Sequence, residues 1–305
     1  GGGRWCSVSL DGHTLLGPEG ASMCIGGVSG LAAKSSYTSV LLRGAIHASR
    51  EGDTVAGLII NVKGGDYLNL DKPAEEGSLT EDDLALYTAL GVPAAPFPKV
   101  TVYSPALPGS AGTYSGVAGA KVLKWDFKMI YPYMKYLLGD IESDEKLASF
   151  FADFEDKLLT DTLSPVDSFN KLEAWFKDVL DTEDLDDATP DYEKGGKKGG
   201  EGQAPGWGYH HRATLQKLRR MLLNIPARGK GLFARDVLQD NVTDIPTSFE
   251  PGELIVVDVS YADPTVQALV IARTLERVLE SAFKDRLGVD HLAICVDELN
   301  TFAPQ

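Results

Sequence analysis

Three short segments of this chain are almost continuously apolar, and that lack of alternation restricts its possible folds more than any other feature. They are 55–62 (Val-Ala-Gly-Leu-Ile-Ile-Asn-Val), 253–259 (Glu-Leu-Ile-Val-Val-Asp-Val) and 291–297, where the run Leu292 to Val296 ends in Asp297. A strand with one wet face alternates apolar and polar residues, whereas a strand covered on both faces does not. Residues 21–26 read as a further short buried strand, and Lys99–Tyr103 is strand-like. Segments of helical period lie between them. Residues 35–49 carry Val40, Leu41 and Ile46, and Thr80 can cap a short acidic helix. Asp263-Pro264 supplies a cap and a first-turn proline to a helix bearing Val266, Leu269, Val270, Leu275, Val278, Leu279 and Phe283. Strands alternating with helices predict an α/β fold, a mainly parallel sheet with helices on both faces.

The middle of the chain has another texture. Leu147, Phe150, Phe151, Phe154, Leu158 and Leu159 recur at helical spacing, as do Phe169, Leu172, Trp175, Phe176 and Val179, with Ser164-Pro165 between the two sets. Their acidic residues fall on the opposite faces, the pattern of a solvated helix surface. Residues 194–208, rich in Gly and Lys, predict a mobile loop. The expected organisation is an N-terminal remnant at 1–19, a first part of the α/β core at 20–120, a helical insertion with a basic loop at 121–235, and a second part of the core at 236–305.

Charge bears on the partner. The net charge of −15 argues against nucleic acid, yet it is unevenly spread. Residues 140–193 hold 18 acidic and 4 basic side chains, whereas 194–235 hold 10 basic and 1 acidic. The basic segment includes Arg212, Lys217, Arg219, Arg220, Arg228, Lys230 and Arg235, with Trp207 and Tyr209 nearby, and could meet phosphates. The same residues also fit a surface helix with Leu215, Leu218 and Leu222 packed inward and its arginines paired with the acidic insertion. His210-His211 lacks companions at ligand spacing. The three cysteines are odd in number and far apart, and two fall in expected strands, so the reading is a reduced, cytoplasmic protein. No uncharged apolar run approaches the roughly 18 residues of a membrane helix, so no membrane partner is expected.

Two separated motifs carry the chemistry. Met23-Cys24-Ile25 runs into Gly26-Gly27-Val28-Ser29-Gly30-Leu31-Ala32-Ala33-Lys34-Ser35-Ser36. A strand, a Gly-containing loop and Lys-Ser at a helix start make a phosphate cradle. Small residues such as Gly27, Ser29, Gly30 and Ala33 let backbone N–H groups approach, with Lys34, Ser35 and Ser36 completing the candidate nucleotide-binding set. Lys34 would reach the β- and γ-phosphates and the Ser35 hydroxyl would face Mg²⁺. The spacing departs from the usual Gly-x-x-x-x-Gly-Lys-Ser/Thr, because residue 33 is Ala and Gly27 lies one residue too far away. Near the other end, Asp297-Glu298 closes a buried strand. Adjacent carboxylates there need a cation or a proton partner. In such sites the Asp holds Mg²⁺ through water and the Glu orients or deprotonates the attacking water, which makes Glu298 and Lys34 the candidate catalytic residues. The two motifs in this order indicate an ATP-driven hydrolase using ATP and Mg²⁺.

These residues resemble the HerA/FtsK branch of RecA-like P-loop ATPases, and HerA most. The resemblance covers most of residues 20–305. It includes a strand ending in a Gly-acidic-Tyr turn (Lys63-Gly64-Gly65-Asp66-Tyr67), a helical insertion, a strand and helix like Leu254–Phe283, and a Walker B segment, Asp297-Glu298-Leu299-Asn300-Thr301-Phe302-Ala303-Pro304. It implies a RecA-like domain that assembles as a homo-hexamer and moves duplex DNA through its centre as a translocase or helicase. A nuclease or a phage-defence effector is the implied companion. Arg212, Arg219, Arg220, Arg228 and Lys230 are then the expected DNA contacts. The chain stops where the family continues to a sensor strand and an arginine finger, so a piece of a longer protein is expected. Other readings are a conjugative or type IV secretion ATPase, and a nucleotide-binding ring scaffold with little hydrolysis. Asp258, ending a neighbouring strand, reads as a carboxylate that supports the site from behind its ligands or as a plain strand-end carboxylate.

Overall fold

A computed structural model describes residues 23–25, 33–47, 53–138, 144–159, 166–181, 212–235 and 241–298. Five strands form one sheet: β1 (Val55–Asn61), β2 (Val100–Pro105), β3 (Lys121–Leu123), β4 (Leu254–Asp258) and β5 (His291–Val296). Their order is β3-β2-β4-β1-β5, and every pairing is parallel. The fold is therefore α/β with helices flanking a parallel sheet, as the uninterrupted apolar runs require. β1 and β4 lie at its centre, and almost every residue in them is buried.

Side-chain alternation divides the core between the two faces of the sheet. On one face Ile59, Leu254 and Val256 pack with Leu42 of α1 (Ala33–His47), together with Tyr67, Leu68, Phe97 and Val102. Gly57 of β1 lies under this helix. A Cβ there would come within 2.6 Å of Leu254 Cδ1 on β4 and make ordinary contact at 3.8 Å with Leu42 and Ile46, so the bare backbone makes room for the Leu254 side chain beneath α1. On the other face Leu58, Ile60, Ile255 and Val257 meet a larger cluster. It draws in Val266, Leu269 and Val270 of a long helix, Pro264–Phe283, and aromatic residues from the central segment.

The short helix α2 (Glu81–Ala89) starts as the sequence suggests. Thr80 and Asp83 form a reciprocal capping box, each side chain bonded to the other's backbone N–H. The central segment contains α3 (Phe127–Ile130), a 3₁₀ turn (Tyr131–Leu137), α4 (Glu145–Leu159), α5 (Phe169–Asp181), α6 (Arg212–Leu223) and α7 (Ile225–Arg228). Phe150, Phe154 and Phe176 are fully buried, and the rings of Phe154 and Phe176 stack at 6.1 Å. Burying one such ring contributes about 2–3 kcal/mol, which explains why these helices hold together despite their acidic outer faces. The sheet takes in Lys121–Leu123, so the first three residues of the stretch read as insertion belong to the core architecture.

The long helix Pro264–Phe283, α8, opens with Asp263 accepting from the Thr265 N–H, the cap that the sequence marks. Its apolar side is only partly buried, for Leu279 and Phe283 are exposed, Phe283 at 89%. Apolar periodicity continued here past the end of what the sheet covers. Residues 23–25 also depart from expectation. They form no strand, and Met23 and Cys24 are exposed, because a strand needs ladder partners and these residues have none among the described residues. No helix among the described residues is long and apolar enough to cross a membrane.

Candidate functional site

In an open parallel sheet the strands end together, and here the segments that follow the carboxyl ends of β1 and β5 meet the N-terminus of α1. The ladder sets the positions. Ile60 pairs with Val296, and one residue further Asp297 donates its N–H to Ile60 O at 3.1 Å. Asp297 and Glu298 are thus delivered beside the turn that follows β1. Glu298 turns away with φ +51, a left-handed conformation that costs a non-glycine residue about 1–2 kcal/mol and is held here by its surroundings.

Residues from opposite ends of the sequence converge at this edge. Lys34 Nζ lies 3.7 Å from Glu298 Oε1, with the two side chains 36% and 24% exposed. Lys63 Nζ reaches the same oxygen at 3.5 Å from a side chain that is 66% exposed. The Ser35 hydroxyl donates to Asp66 Oδ2 at 2.7 Å. Two pairs, Lys34–Glu298 across the length of the chain and Ser35–Asp66 across 31 positions, therefore join the α1 start to both acidic turns. Thr38 and Ser39 hydroxyls donate back to the carbonyls of Lys34 and Ser35, fixing this first stretch of helix.

Beneath the charged groups lies a neutral layer. Burial, with the nearby Cys295 and Asp297, pushes the Tyr67 phenol up to about 12, although Thr38 and Ser35 bond to it. Burial and the Asp297 charge push the Cys295 thiol up to about 11. Cys295 therefore stays a thiol and acts as packing rather than as a nucleophile. Burial first, then the Glu298 charge, raises the Asp297 carboxyl, with Asp66 adding to the rise and Lys34 opposing it. Three carboxylates share an edge with only two lysines, and that imbalance favours an additional cation.

Among the described residues no group of three or more His, Cys, Asp or Glu is placed to hold a metal ion. Mg²⁺ keeps several waters and takes one or two protein oxygens plus substrate phosphates, so the Ser35 hydroxyl and the Asp297 carboxylate are a suitable pair. Ala33 begins α1. Ser36 is exposed on the first turn, whereas Gly27, Ser29 and Gly30 lie outside the described residues.

Sequence pattern marks Lys63 and Asp66 only as parts of a turn, and the structure gives them partners in the site. The signal was present: in a parallel sheet, whatever follows one strand's carboxyl end neighbours whatever follows the next. A buried pair supports that turn. Asn61 Nδ2 donates to Gly64 O at 2.9 Å and to Asp258 Oδ1 at 2.9 Å, and Asp258 also accepts from the Ser260 N–H. Asp258 thus anchors the site's floor from one strand away. Gln267 of α8 donates to the carbonyls of Val62 and Val259, tying the helix to the same edge.

The basic residues divide. Arg212 and Arg220 are exposed on α6, and Lys230 is exposed in a left-handed turn. Arg219 is half-buried, with Nε shielded and without an acceptor among the described residues. Leu215, Leu218 and Leu222 are fully buried, as in the packing reading, and a lysine of the same helix, Lys217, pairs with Asp144 at 2.7 Å. Arg228 is committed elsewhere: it donates to Leu137 O at 2.8 Å and pairs with the cap residue Asp263 at 2.9 Å. Its guanidinium therefore joins α7, the 3₁₀ turn and the start of α8. Trp207, Tyr209 and His210-His211 lie outside the described residues.

Sequence comparison adds no family to this geometry: no protein-family model matches the chain, and no curated protein matches it.

Proposed function

We propose that this chain is the ATPase part of a RecA-like, HerA-type motor that hydrolyses ATP to drive movement along duplex DNA. The observation that carries the reading is the pairing of Lys34 with Glu298 at one sheet edge, across some 260 residues of sequence. Lys34 neutralises the β- and γ-phosphates, and the backbone N–H groups at the α1 start cradle them. Ser35 and Asp297 would hold Mg²⁺, the Ser35 hydroxyl after giving up its bond to Asp66. When bound, the ion would neutralise charge developing on the phosphate oxygens. Glu298 orients the attacking water and takes its proton. Exposed Arg212, Arg220 and Lys230 are the phosphate contacts for DNA, and the working form is a hexameric ring in the cytoplasm, coupled to a nuclease or defence effector.

The test separates binding from chemistry. Lys34→Ala should weaken Mg²⁺-ATP binding as well as turnover. Glu298→Gln keeps shape and removes the base, so ATP should bind near-normally while single-turnover hydrolysis falls by about 10² or more. Parent-like turnover by Glu298→Gln would refute the assignment. The scaffold reading draws on Ala33 and on the left-handed Glu298; it is selected if parent and Glu298→Gln bind ATP and neither hydrolyses it.

A further inference from the structure

The Glu298 carboxylate is approached by two ammonium groups at the same oxygen, Lys34 from α1 and Lys63 from the turn after β1. On the proposed reading, on which this inference rests, one of the two must leave. Lys34 cannot neutralise a triphosphate and Glu298 together, because its single charge would be shared between competing anions. Lys63 is the cation that stays. We propose that Lys63 is a positioning residue that acts through Glu298: it holds the glutamate and releases Lys34 to the incoming phosphates.

The surroundings favour this role over a loose surface contact. Lys63 follows Val62, whose carbonyl is held by Gln267, and precedes Gly64, whose carbonyl is held by buried Asn61. Gly64 has φ +70, a conformation that suits glycine and fixes the turn that presents Lys63. The backbone on both sides of the lysine is therefore anchored to the buried edge of the sheet, while its side chain remains in solvent. The charges facing Glu298 are Asp297 on its own segment, Lys34 on α1, and Lys63 and Asp66 on the β1 turn. Without Lys63, three carboxylates would draw on Lys34 alone, and ATP would have to compete harder for it.

The pair is exposed and its separation long, so the effect is modest. Ion pairs of this kind are worth about 0.2–1 kcal/mol, which corresponds to an affinity change of up to about five-fold. The experiment measures Mg²⁺-ATP affinity of the full chain by calorimetry at about 0.15 M salt, where charges beyond about 8 Å are screened. The variants are Lys63→Ala, Lys63→Arg, Glu298→Gln and the double variant Lys63→Ala/Glu298→Gln. Lys63→Ala should weaken binding by about two- to five-fold, and Lys63→Arg should restore it. The loss should disappear when Lys63→Ala is made on the Glu298→Gln background. Equal losses on both backgrounds would mean that Lys63 touches phosphate directly, and would overturn the proposal. Unchanged affinity of Lys63→Ala beside a parent that binds ATP overturns it alone. A parent that binds no ATP overturns the nucleotide reading and this one together. Thermal midpoints should be unchanged for Lys63→Ala, since the side chain is solvated, and a lowered midpoint would assign Lys63 to structure instead.

Discussion

Asp244→Asn isolates the charge that joins the central helices to α8. Its two carboxylate oxygens receive Arg273 Nη1 and Nη2 at 2.8 and 2.9 Å, Arg277 Nη1 at 2.8 Å, the Trp125 indole N–H at 2.9 Å and the Ile245 N–H at 2.9 Å. Arg273 is only 6% exposed and Asp244 21%. Removing one partner of such a pair leaves the other charge buried, a loss that typically costs 3–5 kcal/mol. The lower end applies here. Arg273 keeps its bond to Met129 O at 2.8 Å and lies 4.4 Å over the Trp125 ring, while Arg277 can turn to water. About 3 kcal/mol is expected at pH 7, a fall on the order of 6 °C in the melting midpoint. Burial pushes the Asp244 carboxyl up, but the Arg273 bond and both arginine charges outweigh it and hold the group below the usual carboxylate range. A depressed folded pKa stabilises fully above the unfolded value of about 4, and that stabilisation is lost as pH falls through the folded value. The gap between parent and Asp244→Asn should therefore narrow below about pH 4. Urea and thermal unfolding at pH 7 and at about pH 3 measure it. Asp244→Asn within about 0.5 kcal/mol of the parent at pH 7 would refute the reasoning. So would an Asp244→Asn/Arg273→Met double variant no more stable than Asp244→Asn, because removing the orphaned charge should recover part of the loss.

Gly231→Ala should lower stability by at least about 2 kcal/mol, since the residue has φ +87 and a Cβ would sit 2.0 Å from Ala106 O; a parent-like melting midpoint would contradict this. Arg228→Ala should lower the melting midpoint by roughly 1 kcal/mol equivalent and leave affinity for duplex DNA unchanged, because its guanidinium is engaged with Leu137 O and Asp263. Arg212→Ala/Arg220→Ala should do the reverse, weakening unrelated duplexes alike and reducing the log–log salt slope by about 0.9 per lost phosphate contact, read by fluorescence anisotropy over a salt series.

The sequence made the central strands plain because their apolar runs need no partner to be recognised. β1, β4 and β5 all fall within the expected segments, and Asp263-Pro264 marks the start of α8 through local backbone chemistry. Met23–Ile25 shows the limit of the same reasoning: an apolar run is strand-like only when another strand is beside it. Phe283 shows it for helices, where period alone does not say how far the covering core extends. At the site, Lys34, Ser35, Asp297 and Glu298 were legible from motif chemistry. Lys63 and Asp66 were not, because their partners are set by which strands become neighbours. The Arg228–Asp263 pair was hidden in the same way. A basic run reads as a surface until the acidic cap that absorbs one of its members is located in space. Asp244, flanked by Thr243 and Ile245 in an unremarkable stretch, gave no local sign of collecting two arginines.

The pairing of β1 with β5 also sets when the site can exist. Thr54 and Asp290 flank that ladder and bond across 236 positions, and every residue of β5 is matched to one made long before it. At roughly 5–20 residues per second, synthesis would present the Lys63 turn for about ten to fifty seconds before Glu298 emerges. Contacts of such separation are also slow to close, because chain entropy is lost before any contact repays it. Through that interval β1 carries an uncovered apolar edge that β5 will later fill, a state open to chaperone capture or wrong pairing. Lys34 and Glu298 can meet only when that interval ends, so their meeting marks a late stage of maturation.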